Sequence, residues 1–319
     1  MPDDSPFFII GAGRSGTTLL RLILAGHPRL HVTPETWFIL ELVRELSLTA
    51  ELMPAQVDRA VTIMTEDYRW PDMEIAADRL RHAACCLQSP RLVDVIDIVY
   101  REQLLHAGKL RVGDKTPAYI AIVPELVTLY PGARFIHLIR DGRDVAISRI
   151  DLNWERYYER DRFEWTLAMA RREEYLRSPY ANRILEIRYE DLVSQPAATV
   201  QRVCEFLEEE FVPGMLDWRS RVQLVPPRER HIHRRLTQAA SGDAVAVWRR
   251  RLSAVECFAM EACLYRDLQR LQYPLRFQGA GWRLLLAPAG WMLCTMAPVL
   301  RGGVQFLRRR NLLRRKLYI

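Results

Sequence analysis

Four short apolar runs, each followed by a stretch of helical periodicity, set the plan of this 319-residue chain. Phe7 to Ile10 is the first, closed by Gly11; residues 110–113, 133–139 and 184–189 repeat the pattern. Runs of this length read as strands buried on both faces, and apolar positions then recur at three- and four-residue spacing, as from Thr17 to Leu24. The alternation predicts an α/β fold, a parallel sheet with helices on both faces and ligand sites at the carboxyl ends of the strands. Between the first and second runs lies a long helical insert, roughly 35 to 107, punctuated around Pro54, Pro71 and Pro90.

The turn after the first strand carries the strongest chemical signal. Gly11-Ala12-Gly13-Arg14-Ser15-Gly16-Thr17-Thr18 joins strand to helix with three glycines that permit positive φ and close backbone approach. Its amides converge at the positive end of the helix dipole, which suits a phosphate. The spacing is nearly that of the nucleotide-binding P-loop, Gly-x-x-x-x-Gly-Lys-Ser/Thr, but Thr17 stands where the lysine belongs. A nucleoside triphosphatase needs that lysine on its β- and γ-phosphates, so its loss argues against γ-phosphoryl transfer. Arg14 supplies the cation instead. The plainer alternative is a tight strand-to-helix turn with no ligand.

This loop resembles that of sulfotransferases using 3′-phosphoadenosine 5′-phosphosulfate, above all the branch containing the tyrosylprotein enzymes and many bacterial ones, in which the 5′-phosphosulfate loop reads Arg-Ser-Gly-Thr-Thr as Arg14 to Thr18 do. The resemblance extends to a second motif. In it an arginine ends a strand and a serine follows eight positions later to hold the 3′-phosphate; Arg140 and Ser148 keep that spacing, with Gly142 where the family usually has proline. Arginine offers a planar fork there, and serine donates from the following helix. A third piece, Tyr189-Glu190-Asp191-Leu192 at the end of the last strand, matches the tyrosine that such enzymes place beside adenine. Outside that context an Arg-Asp pair is a helix cap and the tyrosine is packing.

Sulfonate transfer needs a base for the acceptor hydroxyl and a cation on the leaving oxygen. The resemblance implies Glu35, in Thr33-Pro34-Glu35-Thr36-Trp37, as the base, and Lys115, in Gly113-Asp114-Lys115-Thr116-Pro117, as the cation directed at the sulfonate or its leaving oxygen, alongside Arg14. Pro117 occupies the place where the cytosolic branch carries its histidine base. The implied donor site is Arg14, Ser15, Gly16, Thr17, Thr18, Arg140, Ser148 and Tyr189, with 3′-phosphoadenosine 5′-phosphosulfate as donor and no metal. Glu35 as an ordinary charge near a helix start is the competing reading.

Composition adds a tail and removes some partners. The net charge is +7, yet residues 274–319 hold nine Lys or Arg and no acid, leaving 37 basic and 39 acidic residues before them. Residues 284–300 carry no charge but include Pro288 and Pro298, too short and broken for a confident transmembrane helix. Flanked by arginines, this helical tail suits an anionic membrane surface, or else docks on a partner or on the body. We therefore expect a catalytic domain over 1–273 and a basic tail over 274–319. Aromatics are not interleaved with the basic run, which argues against nucleic acid. Trp154, Tyr157, Tyr158, Phe163 and Trp165 either wall the acceptor or form core. His231 and His233 lack further ligand spacing and suit a surface strand or loop better than a metal site. Six cysteines without zinc spacing suit a reducing compartment, and Asp3 and Asp4 argue against a secretory leader, so a cytoplasmic protein, peripheral on the inner membrane face, is expected.

The leading function is sulfonate transfer to a hydroxyl of a carbohydrate, a glycolipid or another small acceptor. A P-loop kinase-like phosphotransferase and a catalytically silent membrane-bound nucleotide-binding scaffold are the alternatives.

Overall fold

The computed structural model describes residues 4–152, 158–237 and 244–277. Five strands, β1 (Phe7–Gly11), β2 (Leu30–Thr33), β3 (Arg111–Lys115), β4 (Arg134–Ile139) and β5 (Ile184–Arg188), form one sheet in the order β2-β3-β1-β4-β5. All pairings are parallel: Phe7 lies beside both Gly113 and Arg134, Thr33 beside Asp114, and Ile139 beside Arg188. The helices are α1 (Thr17–Leu24), α2 (Phe38–Glu45), α3 (Pro54–Glu66), α4 (Ala77–Cys85), α5 (Leu92–Ala107), α6 (Val123–Leu129), α7 (Gly142–Ile150), α8 (Tyr158–Tyr175), α9 (Tyr189–Ser194), α10 (Pro196–Leu207), α11 (Trp248–Arg251) and α12 (Ala254–Arg270).

The four strands expected from apolar runs are present, and β2 is an addition. Its sequence, Leu-His-Val-Thr, is too short and too mixed in polarity to stand out, and as the edge strand it needs less apolar surface. Two boundaries move as well. β3 runs on through Lys115, and Tyr189 opens α9 instead of ending β5. The insert consists of α2 to α5, with Pro54 as the first residue of α3, Pro71 inside a 3-10 turn, and the Pro90 carbonyl accepting from the Leu52 N–H at 2.7 Å.

The chain divides into two compact units, Met1–Arg140 with Leu167–Val245, and Asp141–Thr166 with Ala246–Ile319. The first contains the whole sheet. Phe7 and Ile9 face Leu20, Ile23, Ile136, Ile187, Val203 and Leu207 in one core. Phe8 points the other way, stacks on Phe135 at 5.5 Å and meets Tyr119 edge-on at 6.3 Å. Alternate residues thus bury opposite faces of the same strand, which is why these runs are continuously apolar. Each large side chain so buried contributes about 1.5–3 kcal/mol relative to exposure.

The second unit is built around a charge cluster. Arg143 donates to Asp141 at 2.7 Å and to Glu261 at 2.6 Å, and its guanidinium lies 3.7 Å from the Trp248 ring. Asp141 also caps α7 by accepting from the Arg143 N–H at 2.9 Å. Gly142 explains the missing proline: a Cβ there would sit 2.8 Å from Trp165, which is buried core of this unit. Trp154 and Tyr157 lie outside the described residues, as does the tail from 278 onward. Among the described residues no helix is long and apolar enough to cross a membrane.

Candidate active site

The strand order reverses direction between β1 and β4. The chain leaves β1 toward β2 and β3 on one side and leaves β4 toward β5 on the other, which opens a crevice beyond the carboxyl ends of these two central strands. Arg14 follows β1 and Arg140 follows β4, so both sequence motifs end at that crevice. Arg140 Nη1 donates to the Arg14 carbonyl at 2.9 Å and Nη2 to the Ala244 carbonyl at 2.8 Å. The Arg140 guanidinium also lies 4.3 Å from the centre of the Tyr189 ring, a cation–π contact.

The loop after β1 is shaped by positive φ, though not at the residues its glycines suggest. Gly11 and Gly16 take φ of 148° and 96°, while Arg14, rather than Gly13, adopts the left-handed conformation at 70°. A Cβ on Gly16 would meet Tyr189 Cδ2 at 2.3 Å, so the tyrosine ring rests on the loop backbone. α1 then starts with Thr17 and Thr18, has no side-chain cap and has no acid in its first turn. Its first N–H groups have no intrahelical partners, and nothing negative offsets the helix dipole. Ser15 Oγ is buried without a hydrogen-bond partner among the described residues. A buried donor of that kind, beside an uncapped helix start, fits an anion.

Glu35 and Lys115 come together as a salt bridge of 2.6 Å, and Trp37 Nε1 donates to the other Glu35 oxygen, also at 2.6 Å. Lys115 is the last residue of β3, paired in register with Ile9 of β1, which places it beside the strand that feeds the phosphate loop. Burial alone pushes the Glu35 carboxyl up. The Lys115 ammonium, the Trp37 N–H and Arg69 outweigh that, and Glu35 stands below the ordinary carboxylate range. Arg69 lies 4.7 Å from the Trp37 ring and 4.0 Å from the Tyr68 ring.

His233, expected on a surface, is instead part of this site. Its Nε2 is 3.5 Å from Thr18 Oγ1, and the adjacent Ile232 carbonyl accepts from Arg14 Nη2 at 3.0 Å. Burial, then the nearby Arg14 and Lys115 charges, hold its pKa down at about 3. The imidazole is thus neutral near pH 7, and the neighbouring Arg14 and Lys115 charges add to the effect of burial. His231 is exposed, in keeping with the surface expectation.

The first unit thus gathers Arg14, Ser15, Gly16, Thr17, Thr18, Glu35, Lys115, Arg140 and Tyr189. Ser148 lies on α7, in the second unit. Trp37, Arg69 and His233 are additions to the set predicted from sequence. No local pattern marks them, since they reach the site through loops.

The chain is 28% identical over 216 residues to protein-tyrosine sulfotransferase A of Caenorhabditis elegans, covering 64% of this chain and 50% of the relative. It is 31% identical over 147 residues to the nodulation protein NoeE of Sinorhizobium fredii, covering 44% and 30% respectively. It thus spans half or less of the length of these curated relatives. Among solved structures, the sulfotransferase domain of the Synechococcus olefin synthase superposes with a TM-score of 0.64 at 22% identity, covering 86% of this chain and 97% of that domain, and so shares the fold. The sulfotransferase family model matches residues 6–213, from the residue before β1 to beyond α10. That match takes in the whole sheet and every strand end that carries a charged site residue, and it makes this chain a member of the sulfotransferase family.

Proposed function

We propose that this protein transfers a sulfonate group from 3′-phosphoadenosine 5′-phosphosulfate to a hydroxyl of its acceptor. The observation that carries the reading is the convergence of Arg14 and Arg140 at the β1/β4 crevice, with the Glu35–Lys115 pair at the end of the neighbouring strand β3. The donor supplies an electrophilic sulfur and a bisphosphate leaving group. Its 5′ end fits the uncapped start of α1, Ser15, Thr17, Thr18 and Arg14; Arg140 and Ser148 are assigned to the 3′-phosphate, and Tyr189 to the base.

Glu35, held ionised by Lys115, receives the acceptor's hydroxyl proton as the oxygen attacks. Trp37 fixes one carboxylate oxygen, which leaves Oε1, the oxygen shared with Lys115, to accept that proton. The Lys115 ammonium, together with Arg14, is assigned to the leaving oxygen, where negative charge grows. The body performs this chemistry and the tail, outside the described residues, carries it to an anionic membrane face of the cytoplasm. Flotation of the full chain with anionic but not neutral vesicles, reversed by salt, is the expected result.

Carbohydrate and glycolipid hydroxyls are the acceptors we favour on the strength of that tail. A protein tyrosine is the second reading, favoured by the protein-tyrosine sulfotransferase relative. Incubating source-cell extracts with radiolabelled donor, then separating lipid, polysaccharide and protein, discriminates between them. The nucleotide reading is tested with Arg140→Ala: adenosine 3′,5′-bisphosphate should bind without magnesium and lose about 2–4 kcal/mol, while adenosine 5′-phosphate binding hardly changes. Equal losses for both nucleotides, or a magnesium-dependent preference for ATP, would overturn it in favour of a kinase-like site.

A further inference from the structure

The register of β2 on β3 brings the chain beside Asp114 but ends at Thr33, two residues before Glu35. Lys115 belongs to β3, but Glu35 lies two residues beyond β2, in the short link to α2. A carboxylate fastens that link to the strand. Asp114, beside Thr33 in register and fully buried, accepts from the Thr36 hydroxyl at Oδ2 and from the Thr116 hydroxyl at Oδ1, the latter at 2.8 Å. The Thr36 N–H donates to Thr116 Oγ1 at 2.9 Å, which closes a ring through both threonines. Tyr100 adds a third hydroxyl to Oδ2 at 2.8 Å, and the Tyr119 hydroxyl donates to the Thr36 carbonyl at 2.5 Å.

Thr36 is the residue after Glu35, and Thr116 the residue after Lys115. We infer that Asp114 is the positioning residue of this site: its buried carboxylate staples the Glu35 link to the end of β3 and so holds the base against its cation. The inference rests on reading Glu35 and Lys115 as base and cation. A buried carboxylate is costly, and an apolar side chain in the middle of a sheet is the cheaper choice for stability alone. Here all three of its donors are hydroxyls, and two come from the residues next to the reacting pair.

A staple made of a carboxylate is sensitive to protonation. The titratable and charged groups coupled to Asp114 are Lys115 on β3, Tyr100 on α5, Tyr119 in the 117–121 turn, Tyr130 after α6 and Arg21 on α1. The three tyrosines are pushed well above 10 by burial and remain neutral donors. Burial raises Asp114 to about 6, against the pull of its hydroxyl donors and Lys115. Below that pH the carboxyl gains a proton, becomes a donor itself and no longer accepts from all three hydroxyls. Glu35, which titrates below the ordinary range, is still ionised there.

The test needs no acceptor. The side-chain carboxyl ¹³C resonance of Glu35, assigned by its absence from Glu35→Gln, is followed from pH 8 to pH 4 in the full-length protein, in Asp114→Asn and in Thr116→Val. The wild type should show a small inflection near pH 6 as Asp114 protonates, with the main Glu35 transition lying lower. In Asp114→Asn the inflection should vanish, in Thr116→Val it should move to higher pH because a hydroxyl donor is lost, and in both the Glu35 midpoint should rise by roughly one pH unit as its contact with Lys115 loosens. An unchanged Glu35 midpoint in a folded variant overturns the staple; if Asp114→Asn does not fold, Thr116→Val decides. Turnover of Glu35→Gln is measured separately, so loss of the base assignment and loss of the staple are distinguishable.

Discussion

At the scale of single residues, the site pairs groups that tune one another across long sequence distances. Glu35 is held ionised by a lysine 80 positions away, the state that the proposed base role needs. Replacing it with glutamine keeps its size and removes its proton-accepting charge. Turnover with the identified acceptor should fall on the order of 10² to 10⁴-fold, with adenosine 3′,5′-bisphosphate affinity nearly unchanged. Near-normal turnover would show that another group takes the proton. Because the Glu35 carboxyl lies below the usual carboxylate range, any acid limb in the activity profile near pH 6 belongs to Asp114, raised to about 6, and not to the base.

At the scale of elements, the strand-turn-helix unit from β1 to α1 depends on two glycines whose places are fixed by their neighbours. A Cβ on Gly11 would sit 2.6 Å from the Leu138 carbonyl of β4, and one on Gly16 would enter the Tyr189 ring. Gly16 also takes φ 96°, which side-chain-bearing residues rarely adopt. Gly16→Ala should therefore displace Tyr189, lower the thermal midpoint and weaken adenosine 3′,5′-bisphosphate at least tenfold, as read by calorimetry. Wild-type affinity in this variant would mean that the nucleotide does not use this turn. The same contact explains why Tyr189 heads α9 instead of closing β5: its ring packs on the turn between β1 and α1.

For the whole molecule, two half-buried histidines contribute to the response to acid. His31 is pushed down to about 4 and His233 to about 3, in both cases first by burial. The unfolded chain binds protons at these imidazoles below about pH 6.5, whereas the folded chain does not until much lower. Their contribution to stability is complete above that pH and is lost as pH falls toward 4. Asp114 acts in the opposite sense between about 6 and 3.8, where the folded state holds its proton more tightly, and burial raises Asp72 and Asp97 in the same direction, while a lowered His27 adds to the histidines, whose ordinary titration lies higher in pH than that of the carboxyls. The thermal midpoint should thus drop between pH 7 and pH 5, and His233→Gln should make that drop shallower. Equal slopes for the two proteins would show that His233 is not held neutral by the fold.

The sequence by itself determined whatever is encoded in contiguous residues. Four of the five strands, the start of α1 at Thr17, and the placement of Arg14, Lys115 and Arg140 at strand ends were legible because apolar runs and turn glycines act within a few positions of one another. Glu35 and Tyr189 were identified through resemblance to a family and not through periodicity. Tertiary structure alone decided how these pieces meet. β2, four residues of mixed polarity, becomes a strand only because β3 offers it an edge, and that pairing carries Glu35 to Lys115 and Thr36 to Asp114. His233 reaches Thr18 across 215 positions, and Arg14 takes the left-handed turn beside a glycine that does not need it. Such contacts are sums of many weak interactions between distant segments, and each is settled only when the packing around it is complete, so no short stretch of sequence announces them.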